Sequence, residues 1–185
     1  MTYLLDTMIV SYFLQAEREA ELAQAATCCS MALVEEVRQE LDNDKDRGGK
    51  AFREWLAASN IDVRAIEVGS AAAGTLAQLL NPVMPSKGRG ERASIALAGS
   101  DPSLTLVSHD KNGLWIALRE LWMPGERIVG LPVFVRRLFD VGALTAPDIA
   151  DEIISLGVDA AQRPSWWASW RAGLAGDGTS GASKS

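Results

Sequence analysis

Four carboxylates stand where strands and helices of a predicted sheet would bring them together. They are Asp6 after the first strand, Glu36 in the helix after the second strand, Glu91 at the start of a later helix and Asp110 after the strand that follows it. Carboxylates held close together repel one another, which raises their pKa values unless a cation neutralises them. Mg²⁺ and Mn²⁺ are hard cations that prefer oxygen ligands. The four acids therefore predict a Mg²⁺ or Mn²⁺ site, and such a site can hydrolyse phosphodiesters.

Each acid taken alone has a simpler explanation. Asp6 and Asp110 are typical turn residues at strand ends, and Glu91 could simply complement a helix dipole. Glu36 lies beside Glu35, and an acidic helix face is most often just solvated. The joint arrangement, and no single residue, carries the prediction. Because a slip of one residue turns a side chain by about 100° on a helix, either Glu35 or Glu36 remains a candidate ligand.

The elements that must position these acids alternate between β and α patterns. The predicted strands cover residues 3–5, 25–29, 61–68 and 104–108, and the predicted helices cover residues 8–14, 31–41, 51–58, 70–80, 91–98, 114–121, 128–138 and 146–156. Such alternation predicts an α/β fold, a three-layer α/β/α sandwich around a mostly parallel sheet. In such sheets ligands collect at the carboxyl ends of the strands.

Three segments of the chain resemble the PIN-domain nucleases, in particular the VapC-like toxins of toxin–antitoxin pairs. They are Tyr3–Thr7, Gly90–Ala98 and Leu106–Lys111, and the resemblance covers residues 1–143. It implies a PIN-like fold, Mg²⁺-dependent cleavage of RNA and inhibition by an antitoxin protein. It also implies that Asp6, Glu36, Glu91 and Asp110 are the catalytic and metal-binding acids.

The chain departs from the pattern of this family at three positions. Met8 stands where the family commonly has Asn or Ser, Asn112 where many members have a further acid, and His109 where some have a second aspartate. Two alternatives therefore stay open beside the endoribonuclease. One is a catalytically weakened PIN-like module that only binds, and the other is a PIN-type nuclease that acts on DNA.

Cations next to the acids are candidates for binding the substrate. Lys87, Arg89 and Arg92 surround Glu91, and Lys111 follows Asp110. Lys and Arg beside phosphates fix the register of a nucleic acid without reading its sequence. The alternative is that these residues belong to a solvated loop.

Composition limits the class of protein. The 185 residues carry 18 Lys and Arg against 24 Asp and Glu, a net charge of −6, which argues against binding nucleic acid through bulk charge. No apolar run approaches the roughly 18 residues of a membrane span, and the N-terminus lacks a basic signal region. We therefore expect a cytoplasmic protein with no membrane partner. Cys28 and Cys29 are adjacent and suit neither a disulfide framework nor a zinc site, and we interpret them as reduced strand residues.

The composition also changes along the chain. We predict a PIN-like nuclease domain over residues 1–145, a helical extension over 146–172 and a disordered tail over 173–185. The extension contains Trp166, Trp167 and Trp170. We favour packing of these rings onto their own domain. The alternative is an aromatic anchor for an antitoxin or for a second subunit of a homodimer.

Overall fold

A five-stranded, entirely parallel sheet forms the centre of the molecule. The computed structural model describes residues 1–43, 49–80, 88–119 and 121–177. The strands are β1 (Thr2–Leu5), β2 (Met31–Val34), β3 (Asp62–Arg64), β4 (Leu104–Val107) and β5 (Ile128–Val129), in the order β3-β2-β1-β4-β5. The predicted α/β class with parallel strands is confirmed, and the arrangement is consistent with a three-layer sandwich.

Ten α-helices lie in the described part of the chain and connect or flank these strands. They are α1 (Thr7–Gln15), α2 (Glu19–Cys28), α3 (Glu35–Asn43), α4 (Gly49–Ala58), α5 (Ala71–Leu79), α6 (Arg89–Ser100), α7 (Lys111–Arg119), α8 (Leu131–Asp140), α9 (Pro147–Gly157) and α10 (Ser165–Asp177). Within the same residues, none of the helices has both the length and the apolar character needed to cross a membrane.

The strand order reverses direction between β1 and β4. The chain runs from β1 outward through β2 to β3, and then returns to the other side of β1 as β4. Leu4 lies opposite Leu106 and Leu5 opposite Val107, so the two strands end side by side. The crevice beyond the carboxyl ends of such strands is where open α/β sheets bind ligands. Asp6 and Asp110 follow these two strands.

The second strand and its flanking helices differ from the prediction. Residues 19–28 form α2, so Cys28 and Cys29 are not strand residues, and Ser30 does not begin a helix. The strand is instead Met31–Val34, and the helix begins at Glu35. All four residues of β2 are buried, and a short apolar run buried on both faces has no period that separates strand from helix.

The predicted helix over residues 128–138 is also partly wrong. Ile128 and Val129 form β5, which pairs with β4, and α8 begins only at Leu131. A strand of two residues is too short to show an alternating pattern. Pro132 lies in the first turn of α8, where the lack of an N–H is harmless.

The C-terminal helices belong to the same hydrophobic core as the sheet. Trp167 is buried and its Nε1 donates to Asp151 Oδ1 of α9 at 3.1 Å. The Trp170 ring meets the Phe139 ring of α8 edge-on, with 5.2 Å between centroids, and Arg136 lies over the Trp166 ring. The prediction that the tryptophans pack onto their own domain is confirmed.

The first residues of the predicted tail belong to a helix. Helix α10 continues through Gly173 to Asp177, so the predicted boundary at residue 173 falls inside this helix. The rest of the predicted tail, residues 178–185, lies outside the described residues. The segment 81–87, which contains Pro82 and Pro85, lies outside them as well.

Arg127 ties the end of α6 to the start of β4. Its guanidinium donates to the backbone carbonyls of Ala98, of Asp101 at 2.7 Å and of Leu104 at 3.1 Å. We expect Arg127→Ala to lower the free energy of unfolding by about 2–3 kcal/mol in urea denaturation, since partly buried carbonyls lose a charged donor. Arg53→Ala is the control, because its ion pair is exposed and should change stability by less than about 1 kcal/mol. Equal losses in the two variants would contradict a structural role for Arg127.

Candidate active site

Asp6 joins the end of β1 to the start of α1 and is almost completely buried. Its carboxylate Oδ1 accepts the backbone N–H of Ile9 at 2.8 Å and so caps α1. Burial raises the pKa of Asp6 to about 6, although hydrogen bonds from the Ser108 hydroxyl and from the backbone of Ile9 and His109 lower it. A carboxylate with 2% of its surface exposed is too thoroughly desolvated to serve merely as a turn residue.

Asp110 has the corresponding position after β4. Its Oδ1 accepts the backbone N–H of Asn112, at the start of α7, at 2.7 Å. The backbone N–H of Asp110 donates to the Ser108 hydroxyl at 3.3 Å. Both aspartates thus use one carboxylate oxygen to begin a helix. Their side chains are therefore fixed by the strand on one side and by the helix on the other.

Glu91 projects from the first turn of α6 toward the same place. Burial, together with the negative charges of Asp110 and Asp6, raises the pKa of Glu91 to about 7 against the opposing effect of Arg92. Its Oε1 is buried and has no hydrogen-bond partner. A buried carboxylate oxygen without a partner is unfavourable for the fold alone, which points to a role beyond structure.

Glu40 of α3 is the fourth acid that the fold brings to this place. Its Oε2 accepts the Thr7 hydroxyl at 2.6 Å and its Oε1 accepts the backbone N–H of Gly90 at 2.8 Å. A Cβ on Gly90 would lie only 2.6 Å from Glu40 Oε2, so the glycine permits this close approach. Glu40 therefore connects α3, α1 and α6 at one point.

These four acids line one cavity of about 200 Å³ at the carboxyl edge of the sheet. Its described lining consists of Asp6, Thr7, Met8, Glu40, Gly88, Glu91 and Asp110. Three of the four predicted acids are thus brought together. Met8 contributes an apolar wall, at the position where the resemblance leads one to expect a polar residue.

Glu36 is not among the residues that line this cavity. It lies one helical turn before Glu40, with its Oε1 3.6 Å from the Arg89 guanidinium and its Oε2 buried without a partner. Glu35 pairs instead with Arg38 at 2.6 Å, and hydrogen bonds from Arg38 and Gln39 lower the pKa of Glu35 to about 2. Of Glu35, Glu36 and Glu40 in α3, only Glu40 lines the same cavity as Asp6 and Glu91 among the described residues.

Glu40 was not among the acids predicted from the sequence, although its spacing from Glu36 offered a weak indication. Glu36 and Glu40 are four residues apart and so lie on one face of a helix. An acid on the helix after the second strand was expected, but the pattern did not show which turn reaches the cavity. Thr7 and Gly113 were missed as well, because nothing in their own sequence context marks them.

The predicted substrate cations take different positions. Arg89 is paired with Glu36, and an Arg92 guanidinium N–H donates to the Gly88 carbonyl at 3.3 Å. Lys111 is exposed at the start of α7, directly after Asp110. Lys87 lies outside the described residues. Arg92 and Lys111 thus adjoin Glu91 and Asp110 in the sequence, at the edges of the acidic cavity.

His109 points away from the acids. Its Nε2 lies 2.6 Å from the Gly157 carbonyl at the end of α9, and its ring meets the Tyr12 ring edge-on. The last carbonyls of a helix have no partner within the helix, so a ring nitrogen at this distance supplies one for Gly157. His109 therefore joins the strand that carries Asp110 to the C-terminal helices.

The donor set of the cavity suits a hard divalent cation. Four carboxylates converge there, their charges raise the pKa of Glu91, and Glu91 Oε1 has no protein partner. In the described ranges, however, no three His, Cys, Asp or Glu side chains are gathered closely enough to hold a metal ion as they stand. The chemistry of the donors fits Mg²⁺ or Mn²⁺, and ion binding would require these side chains to approach one another.

Gly113 of α7 gives Glu91 the space to reach the cavity. A Cβ at this position would lie 2.0 Å from Glu91 Oε1 and 2.8 Å from its Cδ. We expect Gly113→Ala to displace the Glu91 carboxylate and to weaken Mn²⁺ binding by about 10–100-fold in titration calorimetry. The free energy of unfolding should stay the same or rise by up to about 1 kcal/mol, because alanine favours helix.

Gly74→Ala is the matched control for this substitution. Gly74 also lies inside a helix, and a Cβ there meets nothing within 4 Å. It should gain the same helix propensity without any change in Mn²⁺ affinity. Unchanged affinity in Gly113→Ala would show that Glu91 takes no part in metal binding.

Comparison with known proteins leaves the site to be interpreted from its own chemistry. No protein-family model matches the chain, and no curated protein and no solved structure matches it either. The function is therefore inferred from the acidic cavity and from the residues that build it.

Proposed function

We propose that the protein is a Mg²⁺- or Mn²⁺-dependent endoribonuclease of PIN type. The observation that carries this proposal is the convergence of Asp6, Glu40, Glu91 and Asp110 on one cavity at the switch point of a parallel sheet. Burial raises the pKa values of Asp6 and Glu91, and the charges of Asp110 and Asp6 add to the effect on Glu91, so the ionised acids are unfavourable together without a cation. A divalent cation balances their charges.

Each acid has a distinct part in this proposal. A bound divalent cation would activate water and stabilise the developing charge on the phosphodiester. Asp6 and Asp110 are held rigidly by the helices that they cap, so they set the position of the site. Glu40 positions Thr7 and the first turn of α6, while Glu91 Oε1 is free of protein partners and so is open to the cation.

In the absence of a cation Glu91 has a pKa of about 7, so it is about half protonated near neutral pH. A bound cation would lower this pKa and favour the carboxylate, which is the form that binds a metal. The exposed Lys111 beside Asp110 is placed to contact a phosphate next to the cleaved bond.

The biological part of the proposal depends on the resemblance of three sequence segments. On that resemblance we propose that the protein is the toxin of a toxin–antitoxin pair in the cytoplasm, with an antitoxin as its protein partner. Its expression should then arrest growth, and the Asp110→Asn variant should not. Normal growth with soluble wild-type protein that cleaves RNA in vitro would oppose the toxin role and leave the nuclease role intact.

The cleavage assay tests which acid of α3 belongs to the site. Purified protein is incubated with single-stranded RNA and Mn²⁺, with EDTA as the metal-free control. We expect Glu40→Gln to lower kcat/KM by about 100-fold, or about 3 kcal/mol of transition-state stabilisation, and Glu36→Gln by less than about tenfold. Cleavage that persists in EDTA or in Asp110→Asn would exclude this cavity as the active site. A greater loss in Glu36→Gln would restore the original assignment.

A second candidate function is a module that binds without cleaving. Met8 in the cavity wall favours it, because a thioether does not donate a hydrogen bond to water or phosphate. This alternative predicts no cleavage and no measurable Mn²⁺ affinity. Met8→Asn should then change nothing, whereas a weakened nuclease would gain activity. Parallel digestion of single-stranded DNA separates a deoxyribonuclease from a ribonuclease.

A further inference from the structure

Helix α7 carries an aromatic groove beside the acidic cavity. We propose that this groove binds the single strand of RNA next to the cleaved bond, with a base stacked on Trp115. The groove has a volume of about 470 Å³ and is lined by Asn112, Trp115, Ile116 and Arg119. That the bound RNA is also the substrate rests on the proposed function. That the groove binds single-stranded RNA does not depend on it.

The four groove residues form one continuous stripe. They are spaced at i, i+3, i+4 and i+7, so they lie along one face of α7. Trp115 is 60% exposed, which is unusual for so large an apolar side chain. The Arg119 guanidinium lies over one face of the Trp115 ring, 5.6 Å from its centroid, so a base would stack on the opposite face.

The groove begins two residues after Asp110, an acid of the cavity, although the groove and the cavity share no lining residue among those that the structure describes. Asp110 lines the cavity and caps α7, and Asn112 is both the partner of that cap and the first residue of the groove. Trp115 follows Asp110 by five residues, which is about 7 Å along a helix axis. Successive nucleotides of a stacked strand advance by about 3.4 Å along its axis. When the bond to be cleaved lies at the acids, the base about two nucleotides from that bond therefore reaches Trp115.

The charge of the groove favours a nucleic acid over a second protein surface. Arg119 lies in its lining and Lys111 at the end nearest the acids, and the described lining contains no carboxylate. This local positive charge belongs to a chain with a net charge of −6. Aromatic rings interleaved with cations are the usual surface for single strands, because every base offers a face for stacking.

Binding of a fluorescein-labelled single-stranded RNA of about ten nucleotides tests this proposal. Anisotropy is measured in EDTA, so that cleavage does not interfere. We expect Trp115→Ala to weaken binding by about tenfold or more, and Trp115→Phe to retain part of the affinity. Arg119→Ala should weaken binding and lower the salt dependence by about one charge. Leu118→Ala is the control, because Leu118 is exposed on the same helix and does not line the groove.

Several outcomes would overturn the proposal. Equal affinity of wild type and Trp115→Ala, or no binding by the wild type, would show that the groove does not hold RNA. A wild-type dimer in light scattering that Trp115→Ala converts to a monomer, with unchanged RNA affinity, would assign the groove to a second copy of the chain.

The two proposals can fail separately. RNA binding that depends on Trp115, without metal-dependent cleavage, would support the proposed binding groove and exclude the nuclease function. Metal-dependent cleavage whose KM is the same in Trp115→Ala would support the nuclease function and exclude the groove as an RNA site.

Discussion

The Asp6→Asn variant should lose cleavage activity and at the same time become more stable. We expect kcat/KM with RNA and Mn²⁺ to fall by at least about 100-fold, because one of the four charges that we propose to bind the cation is removed. We also expect the metal-free variant to melt about 3–6 °C higher than the wild type at pH 8. A gain of about 1–2 kcal/mol produces such a shift in a chain of this size.

The gain in stability follows from the burial of Asp6. Its folded pKa of about 6 lies about two units above the ordinary value of 3.8, so keeping it ionised at pH 8 opposes folding by about 3 kcal/mol. Asparagine has no charge to desolvate, and its oxygen can still accept the Ile9 N–H at the start of α1. Part of the gain is lost where the new amide N–H faces the backbone N–H of His109.

Two controls separate this explanation from a general effect on folding. At pH 5, which lies between the ordinary and the folded pKa of Asp6, only about half of the cost that Asp6 imposes on folding remains, so the difference in melting temperature should fall to about half, or less, of its value at pH 8. With Mn²⁺ at pH 8 the wild type should gain stability and the variant should not, so the gap should close or reverse. A variant that is less stable than the wild type in EDTA at pH 8 would show that Asp6 is chiefly a helix cap.

The metal-free protein should become less stable as the pH rises from 5 to 8, and Mn²⁺ should remove this dependence. In the folded state the pKa values of Asp6 and Glu91 are about 6 and about 7, against ordinary values of 3.8 and 4.5. The folded chain thus binds more protons than the unfolded chain in this range. The free energy of unfolding is therefore greatest below the ordinary pKa values, and it falls as the pH rises through the pKa values of the folded state.

The lowered pKa of Glu35 does not obscure this trend. Hydrogen bonds from Arg38 and Gln39 lower the pKa of Glu35 to about 2, so the ionised Glu35 stabilises the fold at any pH above its ordinary pKa. This stabilisation is lost only as the pH falls below about 4. Thermal melts in EDTA at unit steps from pH 5 to pH 8 therefore report mainly on Asp6 and Glu91. The double variant Asp6→Asn/Glu91→Gln should show a nearly flat profile.

Addition of Mn²⁺ completes this test. Metal ions compete with protons for carboxylates, so Mn²⁺ should shift the melting temperature little at pH 5 and strongly at pH 8. An excess of 100 times Kd corresponds to about 2.7 kcal/mol of stabilisation. A melting temperature that stays constant in EDTA, or a Mn²⁺ effect independent of pH, would show that these acids do not form a metal site.

The sequence predicted the class of the fold and three acids of the cavity. Asp6 and Asp110 could be found because each lies at a junction between a strand and a helix, and Glu91 because it lies in the first turn of a helix, where a local pattern marks the boundary. The parallel sheet followed from the alternation of elements. These predictions use information that lies within a few residues of each position.

The remaining features depend on contacts between distant segments. Whether Glu36 or Glu40 meets Asp6 is decided by how α3 packs on α1 and α6, and no local pattern contains that information. The same holds for β2, since burial on both faces erases the alternation that would identify Met31–Val34 as a strand. Gly113 is recognised only once Glu91 is seen against it.

The pairing of β1 with β4 also determines when the cavity can exist during synthesis. Tyr3 lies opposite Thr105, and the acids that follow these two strands, Asp6 and Asp110, are more than 100 positions apart in the sequence. During synthesis this strand pair cannot form until β4 has left the ribosome. A partial product that stops short of β4 therefore lacks Asp110 and cannot assemble the cavity.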